Sequence, residues 1–155
     1  MAMKEGSGRF GLRPLSIAWD GVCIHRVWFK RSDSDNPIPP EITEYLAGKR
    51  TDLSLFCSPA EEGDGVSARI YRIVREIPYG ETRTYGEIAE EAATHARVVG
   101  GALSRNPTPI IIPCHRVVGK KDVGGFTPDT AIKKELLDLE ARTRRKGSLN
   151  SKQSK

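Results

Sequence analysis

The sequence predicts an α+β fold, in which a small N-terminal antiparallel β-sheet domain with a helix precedes a mostly helical C-terminal domain. Strand-like apolar runs joined by a hairpin signal occupy the first third of the chain. From residue 66 onward the apolar residues recur at helical spacing instead. Residues 58–65, rich in Glu, Gly and Asp, separate the two patterns as a linker. We therefore expect domains at residues 1–60 and 66–142, and a basic, disordered tail at 143–155.

Turn and breaker residues define the N-terminal elements. Asp20-Gly21 stands between the apolar runs 15–19 and 22–29, and Asp-Gly in that position is a strong signal of a two-residue hairpin. A polar, proline-bearing loop then leads to a short helix at 41–47, which a glycine ends. Residues 53–57 predict a third strand.

The C-terminal half contains helix signals in close succession. A helical face of apolar residues comes first, formed by Val66, Ile70, Ile73, Val74 and Ile77. Thr84 and Glu87 form a capping box that opens a second helix, and Thr94 can cap a third helix at 95–104. Two short helices across a tight connection predict a helix-turn-helix. A last helix is expected from residue 127 to near Arg142.

Residues 110–118 carry the most distinctive chemistry of the chain. Three isoleucines run into Pro113 and two valines follow Arg116, which predicts a short buried strand broken at the proline, since proline cannot donate to a β-ladder. Cys114 and His115 lie inside this run. A buried polar triplet needs hydrogen-bond partners or a function, and a histidine or nearby cation can convert a thiol into a nucleophilic thiolate. The alternative is a buried cysteine beside a histidine that only satisfies hydrogen bonds.

Positive charge is concentrated in two segments. The net charge is +5, but residues 142–155 contain six basic residues and no acid, so the rest of the chain is near −1. Residues 92–121 contain five more basic residues and again no acid. This segregation suits a polyanionic partner. For the tail, a solvated end without a binding role is the alternative.

Composition also limits the compartment and the cofactors. No apolar run reaches membrane-spanning length and no signal-peptide core is present, so we expect no membrane contact and a cytoplasmic protein, or a nuclear one in a eukaryote. Three cysteines leave at least one free thiol. A Cys23–Cys57 bridge is permitted but disfavoured in a reducing compartment. No nucleotide-binding pattern is present and we expect no cofactor, while Cys23 and His25 are too few ligands to predict a metal site.

Several linked motifs together resemble the O6-alkylguanine-DNA alkyltransferases. They are residues 77–89, 97–103, 106–107 and 112–117, with Glu140 on the last helix. The similarity is close from about Val66 to Glu140. It implies a monomeric, direct-reversal DNA repair protein that binds duplex DNA through the helix-turn-helix in the minor groove and rotates O6-alkylguanine out of the stack. The alkyl group then passes irreversibly to the protein's own cysteine, once per molecule, and O4-alkylthymine is a second expected substrate.

The resemblance implies a role for each matching residue near the cysteine. Cys114 is the nucleophile and alkyl acceptor, His115 is its base through a water molecule, and Glu140 orients the histidine. Asn106 braces the elbow that leads to the cysteine. Tyr85 donates a proton or hydrogen bond to the flipped guanine and eases its departure.

The expected DNA contacts come from the second helix of the motif and its surroundings. The resemblance implies that Arg97 fills the stack that the base vacates, with Tyr85 also at the DNA; a phosphate-binding arginine and a core tyrosine are the alternatives. A helix entering a groove only about 6 Å wide needs small residues. Those residues are Ala96, Gly100, Gly101 and Ala102. We expect Arg105, Arg116 and Lys120 to face phosphates.

Four residues are expected to line the substrate pocket: Val117, Phe126, Thr127 and Pro128. Phe126 stands where the family often has a tyrosine, and Pro128 replaces a residue that is often small, which predicts a narrower pocket mouth. A non-catalytic lesion sensor, a helix-turn-helix regulator and a cysteine hydrolase are the alternative functions. A sensor would lack the acceptor cysteine, and a regulator would carry longer side chains for reading the major groove.

Overall fold

An antiparallel three-stranded sheet forms the N-terminal part of the computed structural model, which describes residues 2–122, 124 and 130–153. Its strands are β1 (Lys4–Phe10), β2 (Arg13–Trp19) and β3 (Ile24–Trp28), in that spatial order. A hairpin joins β2 to β3 as predicted, and Ile17 pairs with Val27, but the connection between the strands is four residues long, 20–23, rather than two. The Asp20 carboxylate accepts a hydrogen bond from the Cys23 amide at 3.0 Å and stabilises the turn. The α+β fold class is confirmed.

Strand β1 was not predicted, because its sequence lacks apolar alternation and contains two glycines. Those glycines allow another segment to pack closely on the strand. A Cβ at Gly6 would lie 2.5 Å from the Pro37 carbonyl oxygen, and one at Gly8 would lie 2.8 Å from Ile38 Cδ1. The loop before the first helix therefore rests directly on the backbone of β1.

Helix α1 (Pro40–Leu46) matches the predicted short helix, with a proline at its start and Gly48 beyond its end at φ +75°. The predicted strand at 53–57 is wrong. The Phe56 amide bonds to the Leu53 carbonyl at 3.1 Å, which makes a turn, and both side chains are buried. Their apolar character reflects burial in the core rather than strand pairing.

A disulfide joins Cys23 to Cys57, against the expectation from a reducing compartment. The Ile24 amide bonds to the Cys57 carbonyl at 2.8 Å, and the two cysteines face each other across a short parallel bridge with Cα atoms 4.4 Å apart. The bond connects the start of β3 to the segment before a 3₁₀ turn at Pro59–Glu61.

Three helices form the helix-turn-helix region: α2 (Val66–Arg75), α3 (Tyr85–Glu91) and α4 (Ala96–Ser104). Thr84 accepts the Glu87 amide at 3.1 Å and its own amide bonds to the Glu87 carboxylate at 3.0 Å, so the predicted capping box is confirmed. Thr94 does not cap α4. The N-cap residue is His95, whose side chain makes no capping hydrogen bond, and the Thr94 amide donates to the Ala89 carbonyl.

The segment around Cys114 differs from the predicted strand. Cys114–Arg116 is a 3₁₀ turn, and only Val117–Val118 forms a strand, β5, which pairs in parallel with β4 (Arg83–Thr84). The Ile112 amide bonds to Thr108 and the Cys114 amide to the Ile112 carbonyl at 2.7 Å. These local bonds curl the chain before the cysteine, so the strand begins after the polar triplet.

Helix α5 runs over Thr130–Gln153, so it extends well beyond Arg142 and includes most of the expected disordered tail. The extension contains arginine, lysine and leucine, which favour helix, and no proline. It also has contacts: Arg144 Nη1 donates to the Gly80 carbonyl at 3.3 Å. The predicted helix start, at residues 127–129, lies outside the described residues. None of the described helices has the length and apolar character to cross a bilayer.

Two buried apolar clusters hold these elements together. One lies among α2, α3 and α4 and includes Cys114 and Val117. The other lies beneath the N-terminal sheet, yet residues from the C-terminal half belong to it: Ile110, Ile111, Ile132, Leu136 and Leu139. The elbow before Cys114 and one face of α5 are therefore packed against the N-terminal part of the chain.

Candidate active site

Cys114 is buried, with 6% of its surface exposed, at the end of the elbow that leaves α4. Asn106 fixes this elbow from both sides. Its Nδ2 donates to the Ile112 carbonyl at 3.0 Å and its Oδ1 accepts the Thr108 amide at 3.0 Å. The contacts match the bracing role that the resemblance implied for Asn106.

His115, which follows Cys114 in the chain, forms a buried pair with Glu140 of α5. His115 Nε2 lies 2.6 Å from Glu140 Oε2, and neither side chain is more than 1% exposed. Burial lowers the pKa of His115, which keeps the imidazole neutral at pH 7. Burial alone would raise the pKa of Glu140, but hydrogen bonds from His115 and Arg116 and the positive charge of Arg116 lower it overall. A neutral imidazole therefore faces an ionised carboxylate.

The other imidazole nitrogen of His115, Nδ1, is buried and has no hydrogen-bond partner among the described residues. With Nε2 bonded to the Glu140 carboxylate, Nε2 carries the proton and Nδ1 presents a lone pair. This is the arrangement that a general base requires.

Arg116 is a structural residue, and its predicted contact with a DNA phosphate is wrong. The side chain is only 10% exposed. Its Nε donates to Glu140 Oε1 at 2.9 Å, its Nη2 to Oε2 at 2.9 Å, and its Nη1 to the Ile77 carbonyl at 2.8 Å. Arg116 thus neutralises the Glu140 carboxylate, because a buried carboxylate is unfavourable without such a partner.

Lys133 is a buried cation that sequence reasoning missed. It is fully buried, and its Nζ donates to the Val117 carbonyl at 2.6 Å and to the Tyr85 hydroxyl at 3.3 Å. Burial lowers its pKa to about 8. A signal was present: Lys133 lies seven residues before Glu140, on the same face of α5 as Leu136.

The thiol of Cys114 is protonated at rest. Burial raises its pKa to about 11, while a hydrogen bond from Asn106 and the charge of Lys133 act in the opposite direction. Ionisation therefore needs a base, and His115 is the neighbouring group with a lone pair to offer.

Tyr85 begins α3, with its hydroxyl close to both Lys133 and Gly124. A Cβ at Gly124 would lie 2.6 Å from that hydroxyl, and Gly124 has φ +74°. Lys133 also lies 5.4 Å from the centre of the Tyr85 ring. The phenol is therefore held in place by a cation on one side and a backbone on the other.

Helix α4 presents a small-residue face with cations beside it. Val99, Ala102 and Leu103 are buried. Ala102 therefore faces the core, and its predicted place on the DNA-facing side is wrong. Ala96, Arg97 and Arg105 are exposed, while Gly100 and Gly101 are half-buried. The exposed side of this helix therefore combines a small residue near its start with an arginine near each end.

A cavity of about 710 Å³ opens beside Cys114. Tyr85, Gly100, Leu103 and Asn106 line it from the helix-turn-helix and the elbow, and residues of β3 line it as well. Val117 is buried next to the cysteine turn. Of the predicted pocket residues, Phe126, Thr127 and Pro128 lie outside the described part of the chain. Among described residues, no cluster of three or more His, Cys, Asp or Glu could hold a metal ion.

A helix-turn-helix, followed by a buried thiol whose neighbouring histidine pairs with a glutamate of α5, is the arrangement expected of a DNA-binding protein with a functional cysteine. The family model for the DNA-binding domain of 6-O-methylguanine DNA methyltransferase matches residues 66–142. The methylated-DNA–protein-cysteine methyltransferase of Archaeoglobus fulgidus is 40% identical over 116 residues, covering 70% of this chain and 77% of that protein. Its counterpart in Methanopyrus kandleri is 51% identical over 76 residues, covering 49% and 58%.

Solved structures show the same similarity over nearly the whole chain. The Mycobacterium tuberculosis O6-methylguanine methyltransferase has a TM-score of 0.76 at 29% identity, covering 92% of this chain and 94% of that one. A structure of the same organism's protein in complex with DNA has a TM-score of 0.76 at 30% identity, covering 90% and 93%. The chain therefore belongs to the O6-methylguanine-DNA methyltransferase family, as its motifs indicated.

Proposed function

We propose that this protein repairs O6-alkylguanine in duplex DNA by transferring the alkyl group to its own Cys114. The observation that supports this proposal most directly is a buried thiol next to the His115–Glu140 pair, in which the unbonded nitrogen of His115, Nδ1, can accept a proton. Family membership makes the protein a DNA-repair methyltransferase. The finer assignments are Cys114 as acceptor, O6-alkylguanine and O4-alkylthymine as substrates, and a monomer acting in the compartment that holds the genome.

The first step produces the nucleophile. The Cys114 proton passes through a water molecule to His115 Nδ1, and Glu140 stabilises the imidazolium that results. Arg116 holds the Glu140 carboxylate in place throughout. The charge of Lys133, which lowers the thiol pKa, favours the thiolate further.

The second step is a single displacement at the alkyl carbon. The sulfur–carbon bond forms as the carbon–O6 bond breaks, and the guanine leaves with the electron pair. The Tyr85 hydroxyl donates a proton to that leaving group, and Lys133, which bonds to the same hydroxyl, can restore it. The thioether product has no route to hydrolysis in this site, so each molecule reacts once.

The guanine must leave the helix before it can reach a buried thiol. Unstacking costs a few kcal/mol, and α4 supplies groups that can offset this cost. Its small exposed residues suit entry into the minor groove, and Arg97 is exposed where it can fill the vacated stack. Arg105 and Lys120, both exposed, are the proposed phosphate contacts.

Intact mass spectrometry tests the proposal directly. Incubation with duplex DNA containing O6-methylguanine should add one methyl group per protein molecule, and peptide mapping should place it on Cys114. The matched Cys114→Ser variant should bind the same DNA and gain no mass. Repair of many lesions per protein molecule would instead indicate a hydrolase, and binding without any mass gain in the native protein would indicate a lesion sensor.

A further inference from the structure

A tyrosine from the N-terminal part of the chain reaches the His115–Glu140 pair. Tyr45 lies on α1 and is 1% exposed. Its hydroxyl donates to Glu140 Oε2 at 2.5 Å and lies 3.3 Å from His115 Nε2. In sequence it is 95 residues from the glutamate and 70 from the histidine.

We propose that Tyr45 is a positioning residue for alkyl transfer, which fixes the proton of His115 on Nε2 and so keeps Nδ1 available as the base. The proposal rests on the proposed function, since it concerns the base that activates Cys114. It assigns the N-terminal part of the chain a direct contribution to the catalytic pair.

The hydrogen-bond geometry supports this role. Glu140 Oε2 already accepts from His115 and from Arg116, and Tyr45 adds a third donor on the same oxygen. Because the phenolic proton points to Glu140, the phenolic oxygen presents its lone pairs toward His115 Nε2. That oxygen favours an Nε2–H imidazole and disfavours the other tautomer.

The phenol also remains protonated. Burial and the adjacent negative charge of Glu140 raise the pKa of Tyr45 well above its ordinary value of 10.0. Its ring is held edge-on against Tyr79, with centroids 5.9 Å apart, and Tyr79 in turn lies 5.5 Å from the Arg116 guanidinium. The hydroxyl therefore has one position and one protonation state.

The test compares Tyr45→Phe with Tyr79→Phe. Both substitutions remove one buried hydroxyl from the same aromatic pair, but the Tyr79 hydroxyl makes no hydrogen bond to His115 or Glu140. The readout is the single-turnover rate of methyl transfer from duplex DNA between pH 5 and 9, with the reactive fraction measured from the end-point.

We expect Tyr45→Phe to slow transfer between about tenfold and a hundredfold, the effect of losing a hydrogen bond to a charged group, because His115 then also populates the Nδ1–H tautomer, which has no lone pair for the thiol proton. The acid limb of its pH–rate profile should also move up by roughly one unit. The reason is that a carboxylate with one donor fewer stabilises the imidazolium more strongly. Tyr79→Phe should keep both the native rate and the native profile.

A native rate in Tyr45→Phe would overturn the proposal. The proposal would also be overturned if Tyr45→Phe transferred more slowly with a smaller reactive fraction but an unchanged acid limb of the pH–rate profile. That result would indicate a purely structural role for Tyr45. If Tyr45→Phe does not fold, ¹⁵N chemical shifts of His115 in the native protein give the test: the proposal requires Nε2–H with unprotonated Nδ1, and the opposite tautomer refutes it. This measurement needs no alkyl transfer, so it separates the proposal from the proposed function.

Discussion

Replacing Arg116 by methionine should distinguish a buried structural arginine from the arginines that face DNA. The substitution keeps most of the apolar volume but removes every donor that Arg116 gives to Glu140 and to the Ile77 carbonyl. Breaking a buried ion pair from one side costs about 3–5 kcal/mol. For a chain of this length, that corresponds to a fall in Tm of roughly 6–20 °C.

The variant should also change how stability depends on pH. In the native protein the folded-state pKa of Glu140 lies below its ordinary value of 4.5. The unfolded chain therefore binds more protons near pH 4, and the free energy of unfolding falls as the pH drops through that range. Without Arg116 the pKa of Glu140 rises, so this loss on acidification becomes smaller.

Urea unfolding at pH 7 and pH 4, followed by circular dichroism, measures both effects. Arg105→Met is the matched control, because Arg105 is exposed and is a proposed phosphate contact. It should change the free energy of unfolding by less than about 0.5 kcal/mol. It should also reduce the slope of log K against log[salt] for DNA binding by about one, whereas Arg116→Met should leave that slope unchanged. The reasoning is refuted if Arg116→Met retains native stability and shows the smaller salt slope.

Two further predictions concern the cavity beside the thiol. Gly124→Ala should place a methyl group against the Tyr85 hydroxyl and slow methyl transfer on the order of 10²-fold, with DNA affinity unchanged. Gly11→Ala controls for backbone strain, because Gly11 has φ +62° and a Cβ there would meet no atom within 4 Å. Equal slowing in both variants would contradict this prediction. Methylation of Cys114 should lower the Tm by about 2–12 °C, because overpacking a buried site costs about 1–3 kcal/mol. Scanning calorimetry before and after complete reaction measures it, with Cys114→Ser treated identically, and an unchanged Tm would contradict the reasoning.

Local signals predicted the helix-turn-helix well, because its determinants lie close together in sequence. The Thr84–Glu87 capping box and the 41–47 helix depend on residues only a few positions apart. Asn106 and Glu140 were identified through the family motifs, and the structure places both beside the cysteine turn or its histidine.

The remaining site residues depend on contacts between distant segments. Nothing in the residues around Tyr45 indicates that its hydroxyl reaches Glu140, 95 positions away. Arg116 was misassigned because residue type reveals charge but not burial. Residues 53–57 were misassigned for a related reason, since an apolar run is equally compatible with a strand and with a buried turn.

The packing of Ile110 and Ile111 beneath the N-terminal sheet makes the linker at 58–65 a boundary in sequence but not in space. A fragment that began at Val66 would bring these two isoleucines into water together with Ile132, Leu136 and Leu139. Exposing five such side chains costs on the order of 10 kcal/mol, which is comparable with the whole stability of a typical domain. The N-terminal segment therefore looks separable in the sequence, but the C-terminal half needs it to keep these apolar side chains out of water. To bury these side chains, the N-terminal segment must supply apolar area of the right shape. Apart from Tyr45, it does not have to supply particular chemical groups.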